Sequence, residues 1–210
     1  MQINSYAKIN LGLHVLNARE DGFHNIATIF QELNFCDQIT IKESQKMSFD
    51  TNVDWLDRTN NTCIKAVKIL QNHYSGLPNF KIFLQKNIPT NAGLGGGSSN
   101  GTATLKAINQ LCGLNIQEKE MKKFAEKISA DSTFFVNGGL QGGEQKGEKL
   151  YPIKYSAIDA YILLVMPNIK VQTSDAFMFI KKYLVKGKTD IKLSQMLEEL
   201  KLNNLSSELF

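Results

Sequence analysis

The residues best placed to do chemistry lie between positions 89 and 105, in PTNAGLGGGSSNGTATL. Gly93, Gly95, Gly96 and Gly97 let a ligand come close to the backbone, and Ser98 and Ser99 follow where a helix pattern begins. Consecutive amides in such a loop can converge on an anion. The first turn of the helix adds unpaired N–H groups and the positive end of its dipole. A phosphate group suits that arrangement. Ser98 and Ser99 can cap the helix, or offer hydroxyls to a phosphate or to its magnesium. A flexible glycine-serine linker has the same composition, but this loop stands between a strand pattern and an apolar helix pattern rather than between domains.

Two better-known phosphate motifs do not fit. A Walker loop ends in Gly-Lys-Ser/Thr, and no lysine follows these glycines. Gly187-Lys188-Thr189 has that ending, but Lys182 stands where the first glycine belongs. The dinucleotide fingerprint fails at its third glycine, which is Ser98 here. In that motif the strand also runs almost directly into the first glycine, whereas NIPTNA intervenes in this chain.

The elements that must position the loop read as follows. Ile3, Ser5, Ala7, Ile9, Leu11, Leu13 and Val15 alternate with Asn4, Tyr6, Lys8, Asn10, Gly12 and His14, the period of a half-buried strand. Asp21-Gly22 marks a turn, and IATIFQELNF and DQITIKES read as two further strands. NNTCIKAVKILQNHY reads as a helix that Asn61 or Thr62 can cap, and FKIFLQK as a short strand before the loop. After the loop, Ala103, Leu105, Ile108, Leu111 and Cys112 share a helical face. A second amphipathic helix turns Met121, Phe124, Ala125 and Ile128 inward. DSTFFVNGG is expected to lead into a strand, GLQGGEQKGEKLYPI to form a hairpin, and AYILLVMP to form a buried strand. Helices are expected in SDAFMFIKKYLV and in the tail after residue 191, with a domain boundary near residue 150.

Composition narrows the function classes. The chain has 210 residues, 42% of them hydrophobic, which sustains a core and argues against disorder. The net charge is +4 with no basic run, so a nucleic-acid partner is not expected. The N-terminus lacks the apolar stretch of a signal peptide, and no segment reaches the ~20 apolar residues of a membrane helix. Cys36, Cys63 and Cys112 have no zinc or disulfide spacing, and His14, His24 and His73 form no metal-ligand pair. A cytoplasmic protein with reduced thiols is the expectation.

PTNAGLGGGSSN resembles the phosphate loop of the GHMP kinases, the family of galactokinase, homoserine kinase and mevalonate kinase. YAKINLGLHVL, REDGFHNIATIFQEL, KNIPTNAGLGGGSSNGTATL, SADSTFF and KGEKL extend the resemblance in order along most of the chain. The resemblance implies an α+β fold, with an N-terminal nucleotide-binding domain over residues 1–150 and an incomplete ferredoxin-like domain over residues 151–210. It implies ATP and magnesium as cofactors. The implied reaction is phosphorylation of the 2-hydroxyl of 4-diphosphocytidyl-2-C-methyl-D-erythritol, a small molecule of the non-mevalonate isoprenoid route, with no protein partner indicated.

The implied roles fall on particular residues. Lys8 and Asp131 would be catalytic, with Asp131 as general base for a tertiary hydroxyl and Lys8 as the cation that orients it. Phosphoryl transfer mostly needs positioning and charge neutralisation, which these groups can supply. Pro89, Thr90, Asn91, Ala92, Gly93, Leu94, Gly95, Gly96, Gly97, Ser98 and Ser99 would hold the ATP phosphates. Asn61 and Lys86 match positions near adenine. Asn10, Phe23, His24 and Thr173 would face the acceptor, with Phe23 stacking on cytosine and His24 hydrogen-bonding the base. Magnesium would come with ATP, with Ser99 as the one optional protein ligand.

The chain departs from the family pattern at three places. Gly-Ala-Asp-Val-Pro becomes Ser129-Ala130-Asp131-Ser132-Thr133, and Asn100-Gly101 replaces an Asp/Asn-Ala pair. The family pattern also continues past NNLSSELF to a second glycine-rich loop. A different class of function, a weakly catalytic homologue that binds a nucleotide or metabolite as a sensor, is the alternative these departures leave open.

Overall fold

The computed structural model describes residues 1–153, 161–166, 193–194, 196 and 198. Their order is β1 (Gln2–Ala18), β2 (His24–Ser44), β3 (Ser48–Thr51), α1 (Thr62–His73), β4 (Asn79–Gln85), α2 (Gly96–Leu111) and α3 (Glu118–Glu126). A 3-10 turn (Ala130–Thr133), α4 (Phe134–Asn137), β5 (Leu140–Gln145) and β6 (Lys149–Pro152) follow. The chain is thus α+β. It divides into two units. The first is Met1–Lys8, Glu32–Pro89 and Gly95–Gly138; the second is Ile9–Gln31, Thr90–Leu94 and the described residues from Gly139 onward. Both β1 and β2 run through both units.

In the first unit β4 lies antiparallel to the second half of β2, in a register running from Gln38↔Gln85 to Ser44↔Asn79. The short strand β3, which its length hides in the sequence, pairs parallel with β4. Alternation along the strands puts Ile39, Ile41, Ile82 and Leu84 in one core with Val67 and Leu70 of α1, Leu105 and Ile108 of α2, and Phe124 of α3. Asn61 caps α1 as expected: its side-chain oxygen accepts from the amides of Cys63 (3.0 Å) and Ile64 (3.1 Å). Gly101, unfavourable inside a helix by roughly 1 kcal/mol, has a packing reason. A Cβ there would stand 2.9 Å from Ile128 Cγ2 and 3.2 Å from Thr62 Cβ.

In the second unit β5 pairs antiparallel with the first half of β2 and β6 with β5, which makes the expected hairpin. Leu11, Ala27 and Ile29 pack there with Leu193 and Met196.

Three expectations are corrected. The two strands expected over residues 26–44 are one 21-residue strand, because Asp37 satisfies its carboxylate inside the fold and does not end the strand. Residues 132–137 are a 3-10 turn and a helical turn rather than the approach to a strand. Phe134 and Phe135 are buried there, and Gly138, at φ +65°, ends the turn before β5 begins. Residues 161–166 carry no strand, and Tyr161, Leu163 and Val165 are exposed. Among the described residues no strand pairs with them. The helix expected in SDAFMFIKKYLV lies outside the described residues. Among the described residues no helix is long and apolar enough to cross a membrane.

Candidate active site

The first unit brings together the two residues assigned to catalysis, 123 positions apart in sequence. Lys8 Nζ lies 3.4 Å from Asp131 Oδ2; the lysine side chain is 7% exposed and the aspartate 36%. Lys8 belongs to β1 and is buried. Asp131 stands on the 3-10 turn that replaces the expected strand approach. The stem of Lys8 lies against the loop itself: a Cβ added to Gly95 would be 3.1 Å from Lys8 Cγ and 2.8 Å from Phe135 Cζ. Gly95 also has φ +67° and serves as N-cap of α2. Cation, carboxylate and phosphate-loop backbone are therefore contiguous.

Asn91 (φ 58°), Gly93 (72°) and Gly95 (67°) take left-handed backbone conformations. α2 begins at Gly96, two residues before the expected start, and has no side-chain cap. Asn61 caps α1 with its own side chain; α2 has no equivalent, which leaves its first-turn amides for an anion from outside. Thr90, Asn91, Ala92, Gly93 and Gly97 are exposed, Pro89 and Ser98 half-buried, and Leu94, Gly96 and Ser99 buried. Thr62 Oγ1 donates to the Gly97 carbonyl at 2.7 Å and so ties the first turn to α1.

Ser129 and Ser132, where the chain departs from the family pattern, bond back to the same turn. Ser129 Oγ donates to Ser98 Oγ at 2.7 Å and lies 2.6 Å from Ser132 Oγ. The turn that carries Asp131 is thereby fastened to α2.

Several assigned residues have other duties. Asn61 spends its oxygen on the α1 cap and its amide on the Asp57 carbonyl. Lys86 does not face solvent: its side chain is 3% exposed and its ammonium lies 2.6 Å from Asp37 Oδ2. Burial holds that ammonium below the usual lysine range, and Asp37 offsets only part of the shift. Ser99 is buried with its hydroxyl 2.8 Å from that of Ser5. The Ser99 side chain is thus turned into the core. Among the described residues no three His, Cys, Asp or Glu side chains gather into a metal cluster.

The second unit holds other assigned residues. Asn10 donates to Thr28 Oγ1 at 2.6 Å. Phe23 is 57% exposed at the turn between β1 and β2, with Lys146 Nζ 5.1 Å from its ring centroid. Arg19 pairs with Asp21 at 3.1 Å, and Asp21 accepts from the Phe23 amide. The Arg19 hydrogen bond holds the Asp21 carboxyl below the usual range. His24 is half-buried. Thr173 lies outside the described residues. The cysteines are free, and burial pushes the Cys63 thiol up to about 12.

Asp37, Ser5 and Asn100 were missed by sequence reasoning. Asp37 is fully buried and accepts from Lys86 Nζ, from the amides of Asn87 and Ile88 at 2.7 Å, and from Asn100 Nδ2 at 2.8 Å. The one available signal was an acid inside an otherwise strand-forming run.

Residues 61–139 match the family model of the GHMP kinases N terminal domain. A 4-diphosphocytidyl-2-C-methyl-D-erythritol kinase of Persephonella marina is 35% identical over 192 residues, covering 91% of this chain and 70% of the relative. One from Prochlorococcus marinus is 35% identical over 212 residues, covering 97% and 68%. A crystal structure of 4-(cytidine 5'-diphospho)-2C-methyl-D-erythritol kinase superimposes with a TM-score of 0.73 at 25% identity, over 97% of this chain and 72% of that one. The mevalonate pyrophosphate decarboxylase of Streptococcus pyogenes shares the fold at 18% identity and a TM-score of 0.66, over 97% and 68%. The chain belongs to the 4-diphosphocytidyl-2-C-methyl-D-erythritol kinase family.

Proposed function

We propose that the protein is an ATP-dependent kinase that phosphorylates the 2-hydroxyl of 4-diphosphocytidyl-2-C-methyl-D-erythritol in the cytoplasm. The observation that carries this reading is the Lys8–Asp131 pair, with the stem of Lys8 against Gly95. A tertiary hydroxyl is a poor nucleophile, and phosphoryl transfer needs placement and charge neutralisation more than covalent help. Asp131, on a partly exposed turn, takes the hydroxyl proton as the new O–P bond forms and ADP leaves. Lys8 orients the hydroxyl and balances the charge gathering beside the carboxylate. The uncapped amides of Gly96, Gly97 and Ser98 hold the phosphates. Magnesium, when bound, neutralises phosphate charge.

Phe23 offers an exposed ring for cytosine to stack on, and His24 a hydrogen-bonding edge for the base. Asn10 and Thr173 complete the assigned acceptor contacts. Asn61 and Lys86 match family positions near adenine; the side chains of both, and the backbone N–H and carbonyl of Lys86, are bonded within the protein. Residues 1–150 form the nucleotide-binding domain in this reading, and residues 151–210 belong to the second.

The test is phosphate transfer from γ-labelled ATP to the diphosphocytidyl substrate and to the same methylerythritol phosphate without cytidine. The proposal expects transfer to the first and at least tenfold less to the second. Equal transfer would move the acceptor assignment elsewhere in the GHMP family. ATP binding with no transfer to either would favour the sensor.

A further inference from the structure

We infer that Asp37 is a positioning residue for the phosphate loop, holding the first turn of α2 in place through Lys86 and Asn100. The inference rests on the reading of residues 95–99 as the ATP phosphate site. Asp37 is a buried carboxylate that belongs neither to the catalytic pair nor to the loop. Each of its oxygens has two donors. Oδ1 accepts from the amides of Asn87 and Ile88, the residues that lead from β4 towards the loop. Oδ2 accepts from Lys86 Nζ and Asn100 Nδ2.

Those donors surround the start of α2. A Cβ on Gly96 would lie 3.1 Å from Lys86 Nζ and 2.9 Å from Ile88 Cγ2, so the first turn rests directly on the segment that Asp37 organises. Asn100 sits in the second turn, and its amide donates both to Asp37 and, at 2.9 Å, to Ser5 Oγ. Ser5 in turn donates to Ser99, and it stands three residues before Lys8 on β1. One buried carboxylate thus links β2, the end of β4, α2 and the strand that carries the catalytic lysine.

A buried ion pair is weak evidence of added stability, because desolvation offsets its attraction. Its yield here is geometric. Four fixed donors on one carboxylate set where the first-turn amides point, and those amides are the phosphate ligands. Lys86 accordingly serves as a buried countercharge under the loop.

The decisive variant is Asn100→Ala, which cuts the tie from Asp37 to α2 and leaves the ion pair intact. We expect the ATP dissociation constant and the KM for ATP to rise about tenfold, with the KM for the acceptor within twofold of the parent. Asn100→Ser, which keeps one donor, should recover part of the loss, and Ser5→Ala should cost two- to threefold. Ile108→Val, which thins the core of the same unit at the far end of α2, should leave ATP affinity unchanged. A folded Asn100→Ala protein with ATP affinity within twofold of the parent would overturn the inference. Equal losses of ATP affinity in Ile108→Val and Asn100→Ala would also overturn it, as they would make the effect general destabilisation. If Asn100→Ala does not fold, Asn100→Ser decides: an intermediate affinity supports the role and a parental one refutes it. Gly97→Val separates this inference from the site assignment. If Gly97→Val abolishes ATP binding and the Asn100 variants do not weaken it, only the role of Asp37 fails. If Gly97→Val binds ATP normally, the loop assignment itself fails.

Discussion

The phosphate-loop end of the first unit and the turn between β1 and β2 in the second handle charge in opposite ways. Under the loop, Asp37 and Lys86 are sealed from water, and each polar atom of Asp37 has fixed partners. At the turn, Arg19, Asp21 and Lys146 lie in partial contact with water around an exposed Phe23. Surface ion pairs of the second kind contribute little to stability and weaken with salt. The difference matches the demands that the proposed function places on each region. A phosphate must be held to within a fraction of an ångström for in-line transfer, and buried, fully bonded groups supply that rigidity. Recognition of a base by stacking tolerates more adjustment, and an exposed ring on a turn is sufficient for it.

The comparison can be broken most forcefully at Lys86. Lys86→Met leaves Asp37 buried without its cation, and we expect a loss of about 3–5 kcal/mol in unfolding free energy. Denaturant titration measures it; a loss near zero would show that the buried pair is not the anchor described. Gly97→Val comes next. Nothing lies within 4 Å of a Cβ at that position, so the fold should be kept while a side chain obstructs the phosphate. We expect at least a tenfold loss of ATP affinity by calorimetry with thermal stability close to the parent. Gly96 is the poorer probe, because its Cβ would press on Ile88 rather than on a ligand.

On the exposed side, Phe23→Ala should reduce the preference for the diphosphocytidyl acceptor over its cytidine-free counterpart by about 1–3 kcal/mol, with the melting temperature nearly unchanged. Parental discrimination in that variant would remove the ring from the recognition site. The smallest effect is expected at Asn61. Asn61→Ala removes the α1 cap and should cost ~1 kcal/mol of stability in denaturant, without altering turnover in proportion.

Much of the frame was legible because local rules decide it. The Asn61 cap, the inward face of α3 at Met121, Phe124 and Ala125, and the strand–loop–helix junction are all set by neighbours in sequence. The errors arose where tertiary partners override local preference. Phe134 and Phe135 read as strand formers, yet burial in a helical turn serves them better. The duty of Lys86 was not legible either. It depends on Asp37, 49 positions away, and on the register that pairs Gln38 with Gln85 and so brings positions 37 and 86 opposite each other. Ser129 and Ser132 looked like departures from a pattern, and their function as ties to Ser98 emerges only when α2 is placed beside them.

The central claim is that Lys8 and Asp131 act as one catalytic unit beside the phosphate loop. Single-turnover phosphate transfer in Lys8→Met, Asp131→Asn and the double variant tests it most directly, with ATP affinity measured alongside. Each single change should lower the rate by about 10²–10⁴-fold, the double should cost little more than either, and ATP should still bind. A folded Asp131→Asn protein that transfers phosphate at close to the parental rate would contradict the account.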